Sequence, residues 1–415
     1  MMEMKKYKLG EIAKNITDGE HGTVIDDITG TYYLLSNKNI INGQILINPK
    51  TDRRINKETF DKINKRTKLE KGDVLISTVG TLGKTCIVEE KINYTLQRSV
   101  GIIKPNLDVL KSKYLMYLLM TDFYQNLLIN NSKGAVQKCI FIDDLKQLPI
   151  QIPSLPTQQK IAAVLSSLDD KIALNKKINA KLEAMAKRMY DYWFVQFDFP
   201  NGEGKPYKTS GGKMVWNEVL KREIPEGWEV GNLYEIADYI NGLACQNYRP
   251  QDEEIFLPVI KIKEMHEGIT SDTEKVSATI PEKYIIFDGD ILFSWSATLE
   301  VMIWTGGKGG LNQHIFKVVP KSYFTKEYVF QQLSSYIVNF QKMAEARKTT
   351  MGHITSDHIN QSRIVIPPKE VINAFSEKTL PIFNYQLTIQ KEIQKLTNLR
   401  DRLLPLLMNG QVEVK

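Results

Sequence analysis

At 415 residues, with 42% hydrophobic and 25% charged side chains, the chain is too long for one ordinary core and too apolar for general disorder. No run reaches the ~18 apolar residues of a membrane span, and the opening MMEMKKYKLG has no apolar signal core, so a cytoplasmic protein with no membrane partner is expected. The formal charge of +7 permits a polyanionic partner without requiring one.

Short alternating apolar runs such as Gln44-Ile45-Leu46-Ile47 and Val74-Leu75-Ile76, broken by Gly, Asn and Asp, predict a strand-rich first segment. The stretch from Ser77 to Glu90 then carries Gly83-Lys84-Thr85, the ending of a phosphate-binding loop. That motif needs a Gly five residues before Gly83 and a helix after the Thr. Here Thr78 stands at the first place and the strand-like Cys86-Ile87-Val88 at the second, which excludes a nucleotide site. A short apolar helix is predicted over 113–128.

A long helix follows, in which Ile161, Val164, Leu168, Lys171, Asn175, Ile178, Leu182, Met185, Met189 and Tyr192 alternate in spacing between three and four. At ~1.5 Å per residue such a helix approaches ~50 Å, longer than a globule of this size needs. Its aromatic end, Met189 to Pro200, calls for packing on a globule or on a partner. The next segment, rich in Gly, Pro and Lys, reads as a linker.

Beyond the linker the chain repeats itself. Leu9–Ala13 matches Leu233–Ala237, Lys71–Val88 matches Asp288–Thr305, Leu96–Pro105 matches Leu311–Pro320, and Ile142–Pro153 matches Thr355–Pro368. In the ungapped register Gly83-Lys84-Thr85 falls on Glu300-Val301-Met302, so the repeated element has no phosphate loop. A second short helix (326–340) and a second heptad series follow: Ile372, Phe375, Thr379, Ile382, Gln386, Ile389, Ile393, Leu396, Arg400, Leu403. Asn175 and Gln386 then share one seam position at a constant shift of 211, where a buried amide fixes register. Pro381 is expected to kink or interrupt the second helix.

The pattern predicts an α+β protein with two similar α/β domains, two long antiparallel coiled-coil helices and an internal pseudo-twofold. The expected boundaries are 1–152, first domain; 153–199, central helix; 200–227, linker; 228–366, second domain; and 367–415, C-terminal helix. Cys86, Cys139 and Cys245 are far apart, and His353 and His358 have no flanking Glu, so no metal site is expected.

Several stretches together resemble the specificity (S) subunit of type I restriction-modification systems over essentially the whole chain. They are Ile152-Pro153, PTQQKIAAVLSSLDDKI running into KLEAMAKRMYDYWFVQFDFP, GKPYKTSGGKMVWNE, EIPEGWEV, LNQHIFKV and LTNLRDRLLPLLMNGQVEV. The resemblance implies that each globule is a target recognition domain for one half of a split double-stranded DNA site. It implies that the helices are the spacer and the platform for two methyltransferase (M) subunits, with restriction (R) motor subunits joining. S-adenosylmethionine, ATP and Mg are then expected in those partners, and no cofactor or catalytic residue in this chain. No methyltransferase tetrapeptide agrees with a catalytic role: the double proline Pro367-Pro368 follows Ile366.

Phosphate contacts call for Lys, Arg or small polar groups on loops, and base readout for Arg, Lys, Asn or Gln. The loops that diverge between copies nominate Thr78, Thr81, Lys84, Gln97, Arg98, Lys133, Gln137 and Lys138 in the first copy, with His21 and Thr23 beside them. In the second copy they nominate Gln246, Arg249, Ser296, Lys308, Asn312, Gln313, His314, Arg347, Lys348 and Thr349, with Trp295 adjacent. Arg347 lies over Lys133, and this pair is the leading expectation for phosphate contact. Gly306–Gly310 reads as a turn between strands. The rival readings are a self-sufficient DNA methyltransferase or nuclease, and a structural adaptor without DNA readout.

Overall fold

The computed structural model describes residues 3–41, 43–89, 92–134, 138–296, 298–346 and 354–414. The chain divides into two units, one made of 1–171 with 396–415 and the other of 172–395. Each is built around a four-stranded antiparallel sheet. In unit 1 the order is Ala13–Asp18, Val100–Pro105, Val74–Ser77, Thr85–Ile87, and in unit 2 Ala237–Asn241, Ile315–Pro320, Ile291–Ser294, Glu300–Ile303. Val74 to Ser77 and Ile291 to Ser294 are buried throughout, which explains why these strands read as continuous apolar runs.

A second sheet repeats as well. Tyr32–Leu35 pairs in parallel with Tyr94–Leu96 in unit 1, and Phe256–Ile260 in parallel with Gly309–Leu311 in unit 2. A two-stranded ribbon closes each globule: Lys5–Lys8 against Pro149–Ile152, and Glu229–Gly231 against Ile364–Ile366. The helix Lys57–Thr67 of unit 1, capped by the Asn56 side chain on the Thr59 N–H, follows strand Arg53–Ile55; at the equivalent place after Lys275–Ser277 unit 2 has only the turn Glu282–Tyr284, its six-residue helix Ile262–Glu267 standing before that strand.

The long helices are Leu155–Tyr190 and Lys369–Met408. Each contributes its two ends to different units. In unit 1, Ile161 and Leu165 from the first share a core with Leu407 and Met408 from the second. In unit 2, Tyr190, Trp193 and Phe194 from the first pack with Ile372 and Phe375 from the second, which settles the aromatic run as core. Within unit 1 Arg400 Nη1 lies 3.0 Å from Asp169 Oδ1, while Tyr117 donates to the other oxygen at 2.5 Å. Within unit 2 Asn175 Nδ2 donates to Glu392 Oε2 at 2.9 Å. From Asp169 to Asn175 along the first helix the partner moves back from Arg400 to Glu392 along the second, as antiparallel packing requires.

The expected register of the helices needs correcting. Ile150 pairs with Tyr7 and Ile364 with Gly231, two and two residues before the equivalent Leu9 and Leu233, so the copies are related by 364 − 150 = 214 here. The helix starts, Leu155 and Lys369, keep that shift. Burial agrees: Ile161, Leu165, Ile172, Asn175, Ala186 and Trp193 are buried, whereas Lys171, Met185 and Tyr192 of the expected series are exposed. A strict 3.5 repeat drifts against a straight 3.6-residue helix by ~20° per heptad, enough to lose the seam over several turns. Asn175 therefore corresponds to Ile389 and Gln386 to Ile172. The two amides occupy different layers.

The second helix series is buried at every expected position from Ile372 to Ile389 and half-buried at Ile393, Leu396, Arg400 and Leu403. The run Lys369–Met408 continues unbroken through Pro381, so of the expected kink or interruption the interruption does not occur. Pro381 and Glu377, whose carbonyl loses its helical partner, are both exposed, which leaves that oxygen open to solvent. The helix stops at Gly410, left-handed at φ 68°, with the Gln411 N–H reaching back to the Leu406 carbonyl at 2.9 Å, a Schellman arrangement.

Candidate nucleic-acid interface

In unit 1 the hairpin between Val74–Ser77 and Thr85–Ile87 is closed by the Ser77 hydroxyl, which donates to the Thr81 carbonyl at 2.6 Å and accepts the Lys84 N–H at 2.9 Å. Gly83 takes φ 78°, and a Cβ there would stand 2.5 Å from the Gln125 side chain. Thr85 is buried and continues as strand, so the three motif letters serve a turn, an exposed cation and a core position.

Neighbouring segments are stitched to this hairpin and to one another. The Asn37 side chain donates to the Val79 carbonyl at 2.7 Å, and its N–H reaches Ser99 Oγ. Gln97 N–H donates to Leu35 O at 2.8 Å and Arg98 N–H to Glu20 O at 3.0 Å. Ile140 N–H donates to Thr78 O, and Lys133 exchanges a pair of backbone bonds with Cys139. One face at the end of the sheet thus collects His21, Thr23, Thr81, Lys84, Arg98, Lys133 and Lys138 as exposed side chains, with Gln97 half-buried. Lys133 is already engaged, 3.1 Å from Asp144 and over the Phe141 ring.

Unit 2 builds the same face with other letters. The Ser294 hydroxyl closes its hairpin onto the Thr298 carbonyl. Trp295 N–H donates to His314 O at 3.3 Å and Ile354 N–H to Trp295 O at 3.0 Å, as Thr78 bonds to Ser99 and Ile140 in unit 1. Gly242 crosses Asn312 as Gly19 crosses Gln97: an added Cβ would lie 2.0 Å from Asn312 O or 2.2 Å from Leu96 O, so no side chain fits at either place. Gln313, His314 and Trp295 are at least partly accessible on this face, and Gln246 and Arg249 are exposed on the loop that follows Gly242.

Strand pairing also shifts the expected alignment of the hairpins. Ile76 pairs with Thr85, which sets Ser77 opposite Lys84 across the six residues 78–83, whereas Ser294 pairs directly with Glu300 across the five residues 295–299, so the second loop is one residue shorter. Lys84 corresponds to Glu300, not Val301. The charge at this position is reversed between copies, and Glu300 lies 3.0 Å from His266.

Three nominated side chains are turned away from solvent. Thr78 is 2% exposed and its hydroxyl donates to Arg98 O; Ser296 is 6% exposed; Asn312 is 5% exposed and its Oδ1 accepts the His314 N–H. Burial assigns them to holding the loops. Lys308 is exposed but sits at the start of Gly309–Leu311, the opposite end of that strand from Asn312–His314, so it is not brought to the face. Its Gly-rich turn is satisfied internally, with the Gly307 N–H donating to Asp288 Oδ1 at 2.7 Å and Trp304 Nε1 to Gly307 O. Gln137, Arg347, Lys348 and Thr349 lie outside the described residues. Among the described residues no group of His, Cys, Asp and Glu could hold a metal ion, and no helix is long and apolar enough to cross a membrane.

Sequence reasoning passed over Asp18, Arg66 and Asn241. Asp18 pairs with His21 at 2.6 Å and with Arg66 at 3.7 Å, and Asn241 Oδ1 accepts the Trp295 indole N–H at 3.1 Å. The repeated Asp-Gly and Asn-Gly dipeptides at 18–19 and 241–242 were the available signal.

Comparison with known proteins adds the following. The family described as "Type I restriction modification DNA specificity domain" matches residues 1–184 and 225–399. The type I restriction enzyme HindI specificity subunit of Haemophilus influenzae is 25% identical over 470 residues, spanning 99% of this chain and 100% of the relative. The MjaIX specificity subunit of Methanocaldococcus jannaschii is 26% identical over 427 residues, spanning 100% and 94%. The crystal structure of a type I restriction-modification S subunit from M. genitalium shares the fold with a TM-score of 0.59 at 14% identity, over 98% of this chain and 96% of that one.

Proposed function

The chain belongs to the type I restriction modification DNA specificity family, as a DNA-recognition subunit without catalysis of its own, and from that premise we propose that it reads an asymmetric, bipartite double-stranded DNA site. Residues 1–152 read one half and 228–366 the other. The observation that carries this reading is the repeated face: the same backbone scaffold, stitched by equivalent hydrogen bonds, presents Lys84, Arg98 and His21 in one copy and Glu300, Gln313 and Trp295 in the other. Equivalent scaffolds with different letters read different sequences.

The helices Leu155–Tyr190 and Lys369–Met408 set the gap between half-sites and seat two methyltransferase subunits, to which restriction subunits attach. S-adenosylmethionine, ATP and Mg belong to those partners. Exchange of residues 1–152 for the corresponding domain of a relative, assayed as the methylated motif of the reconstituted methyltransferase, changes one half of the motif and leaves the other. A change in both halves refutes the two-headed reading.

A further inference from the structure

Asp18 and Asn241 are one position of the repeated scaffold. Each directly precedes the glycine that crosses beneath the neighbouring segment, and the N–H of that glycine donates to equivalent carbonyls, Gly19 to Val100 and Gly242 to Ile315. Both side chains emerge at the edge of the candidate interface, and both hold a larger neighbour.

What they hold differs. In unit 1 Asp18 Oδ2 is 2.6 Å from His21 Nε2, and Oδ1 is 3.7 Å from the Arg66 guanidinium, which also bonds to the Gly19 carbonyl and approaches Glu20 at 3.9 Å. Arg66 comes from the helix Lys57–Thr67, the element that unit 2 lacks. In unit 2 Asn241 Oδ1 takes the Trp295 indole N–H at 3.1 Å, and the indole stands against the His314 imidazole with ring centroids 5.6 Å apart. Trp295 occupies the place of the buried Thr78 in unit 1.

We infer that Asp18 and Asn241 are positioning residues that give the two faces different readout chemistry. Asp18 orients a pair of hydrogen-bonding side chains, the His21 imidazole and the Arg66 guanidinium, suited to the acceptor atoms of guanine and to phosphate. Asn241 orients an aromatic pair, Trp295 and His314, suited to apolar base edges such as the thymine methyl. Neither residue needs to touch DNA. This inference rests on the two faces being the DNA-contacting surface.

The geometry restricts which replacements are tolerated. Asp at 241 keeps an acceptor for the indole N–H, whereas Leu has none. Phe at 295 keeps an aromatic ring and loses the donor. At 18, Asn keeps one acceptor but not the charge that faces His21 and Arg66.

The test uses the full chain with its methyltransferase partner, bound to DNA libraries randomised in one half-site at a time. N241L is expected to lower discrimination at the second half-site by about tenfold, the scale of one good base contact, and to leave the first half unchanged. W295F follows N241L in direction, N241D keeps wild-type discrimination, and D18N loosens only the first half. Thermal unfolding run in parallel identifies variants that fail to fold, and N241D and W295F then carry the test. N241L or W295F folded with both half-site preferences intact, or N241L relaxing both halves equally, overturns the inference while the bipartite reading stands. Wild-type protein with no preference in either half-site overturns that reading, and this inference with it.

Discussion

Asn175 is 2% exposed in the helix seam of unit 2 and donates through Nδ2 to the half-buried Glu392 carboxylate at 2.9 Å. Replacing it with Ala removes a hydrogen bond to a charged group, a loss of about 1.5–3 kcal/mol, and leaves the carboxylate to find water. A central figure of about 2 kcal/mol lowers the unfolding midpoint by about 4–8 °C for a unit of roughly this size. Leu at 175 also loses the bond but fills the seam, where the equivalent residue of the other helix is Ile389. N175L is therefore less destabilised than N175A. Calorimetry of the full chain, read as the transition of unit 2, measures both, and a double-mutant cycle with E392A isolates the pair at about 1–2 kcal/mol of coupling. Midpoints for N175A within about 1 °C of wild type, or a coupling near zero, refute the assignment of Asn175 as the polar register point.

G242A forces a Cβ to 2.0 Å from the Asn312 carbonyl, so it is expected to destabilise the chain by more than about 2 kcal/mol and to abolish second-half readout while G19A abolishes the first, checked by calorimetry and half-site binding. K84E lowers DNA affinity of the methyltransferase complex at low salt and reduces the slope of log affinity against log salt by about 1, read by titration at several salt concentrations; an unchanged slope removes Lys84 from the phosphate contacts. Burial pushes the Cys86 thiol up to about 12, with Glu89 adding, and the Cys245 thiol up to about 11, whereas Cys139 is only half-buried. Both raised thiols stay protonated at pH 8, so iodoacetamide is expected to label one thiol per native chain and three after denaturation. The same shifts favour the folded state below the ordinary thiol range of about 8.5, and this contribution falls as pH rises toward the folded values of about 11 and 12.

The repeat was legible because apolar strands and the Gly-Asp, Ile-Pro and Leu-Glu-Ile type anchors survive in both copies at nearly constant offset. The buried strands Val74–Ser77 and Ile291–Ser294 and the second helix seam fell where the letters put them. The first seam did not. Lys171 and Met185 have long flexible side chains that suit either side of a seam, so spacing alone favoured the 3.5 repeat over the true one. The ribbon Lys5–Lys8 with Pro149–Ile152, invisible to periodicity, fixes the shift at 214.

On the repeated face, the loops nominated from sequence come together, but several of the nominated side chains do not reach solvent. Thr78 and Asn312 have the polar chemistry of contact residues, yet tertiary hydrogen bonds take their side chains inward. Trp295 reads as core by type, and the hydrogen bond its indole N–H donates to Asn241, 54 residues away in sequence, holds it on the face instead. Arg66 belongs to a helix that exists in only one copy, so comparison of the repeats could not nominate it. The packing of Leu407 and Met408 with Ile161, and of Trp193 with Phe375, joins residues distant in sequence that no local pattern relates.

The most direct test of the account is to co-express the chain with a type I methyltransferase subunit that it activates and map adenine methylation across a genome by single-molecule sequencing. Two unlike half-sites separated by a fixed gap, absent when this chain is omitted, are the predicted result. A continuous motif, or methylation that persists without the chain, contradicts it.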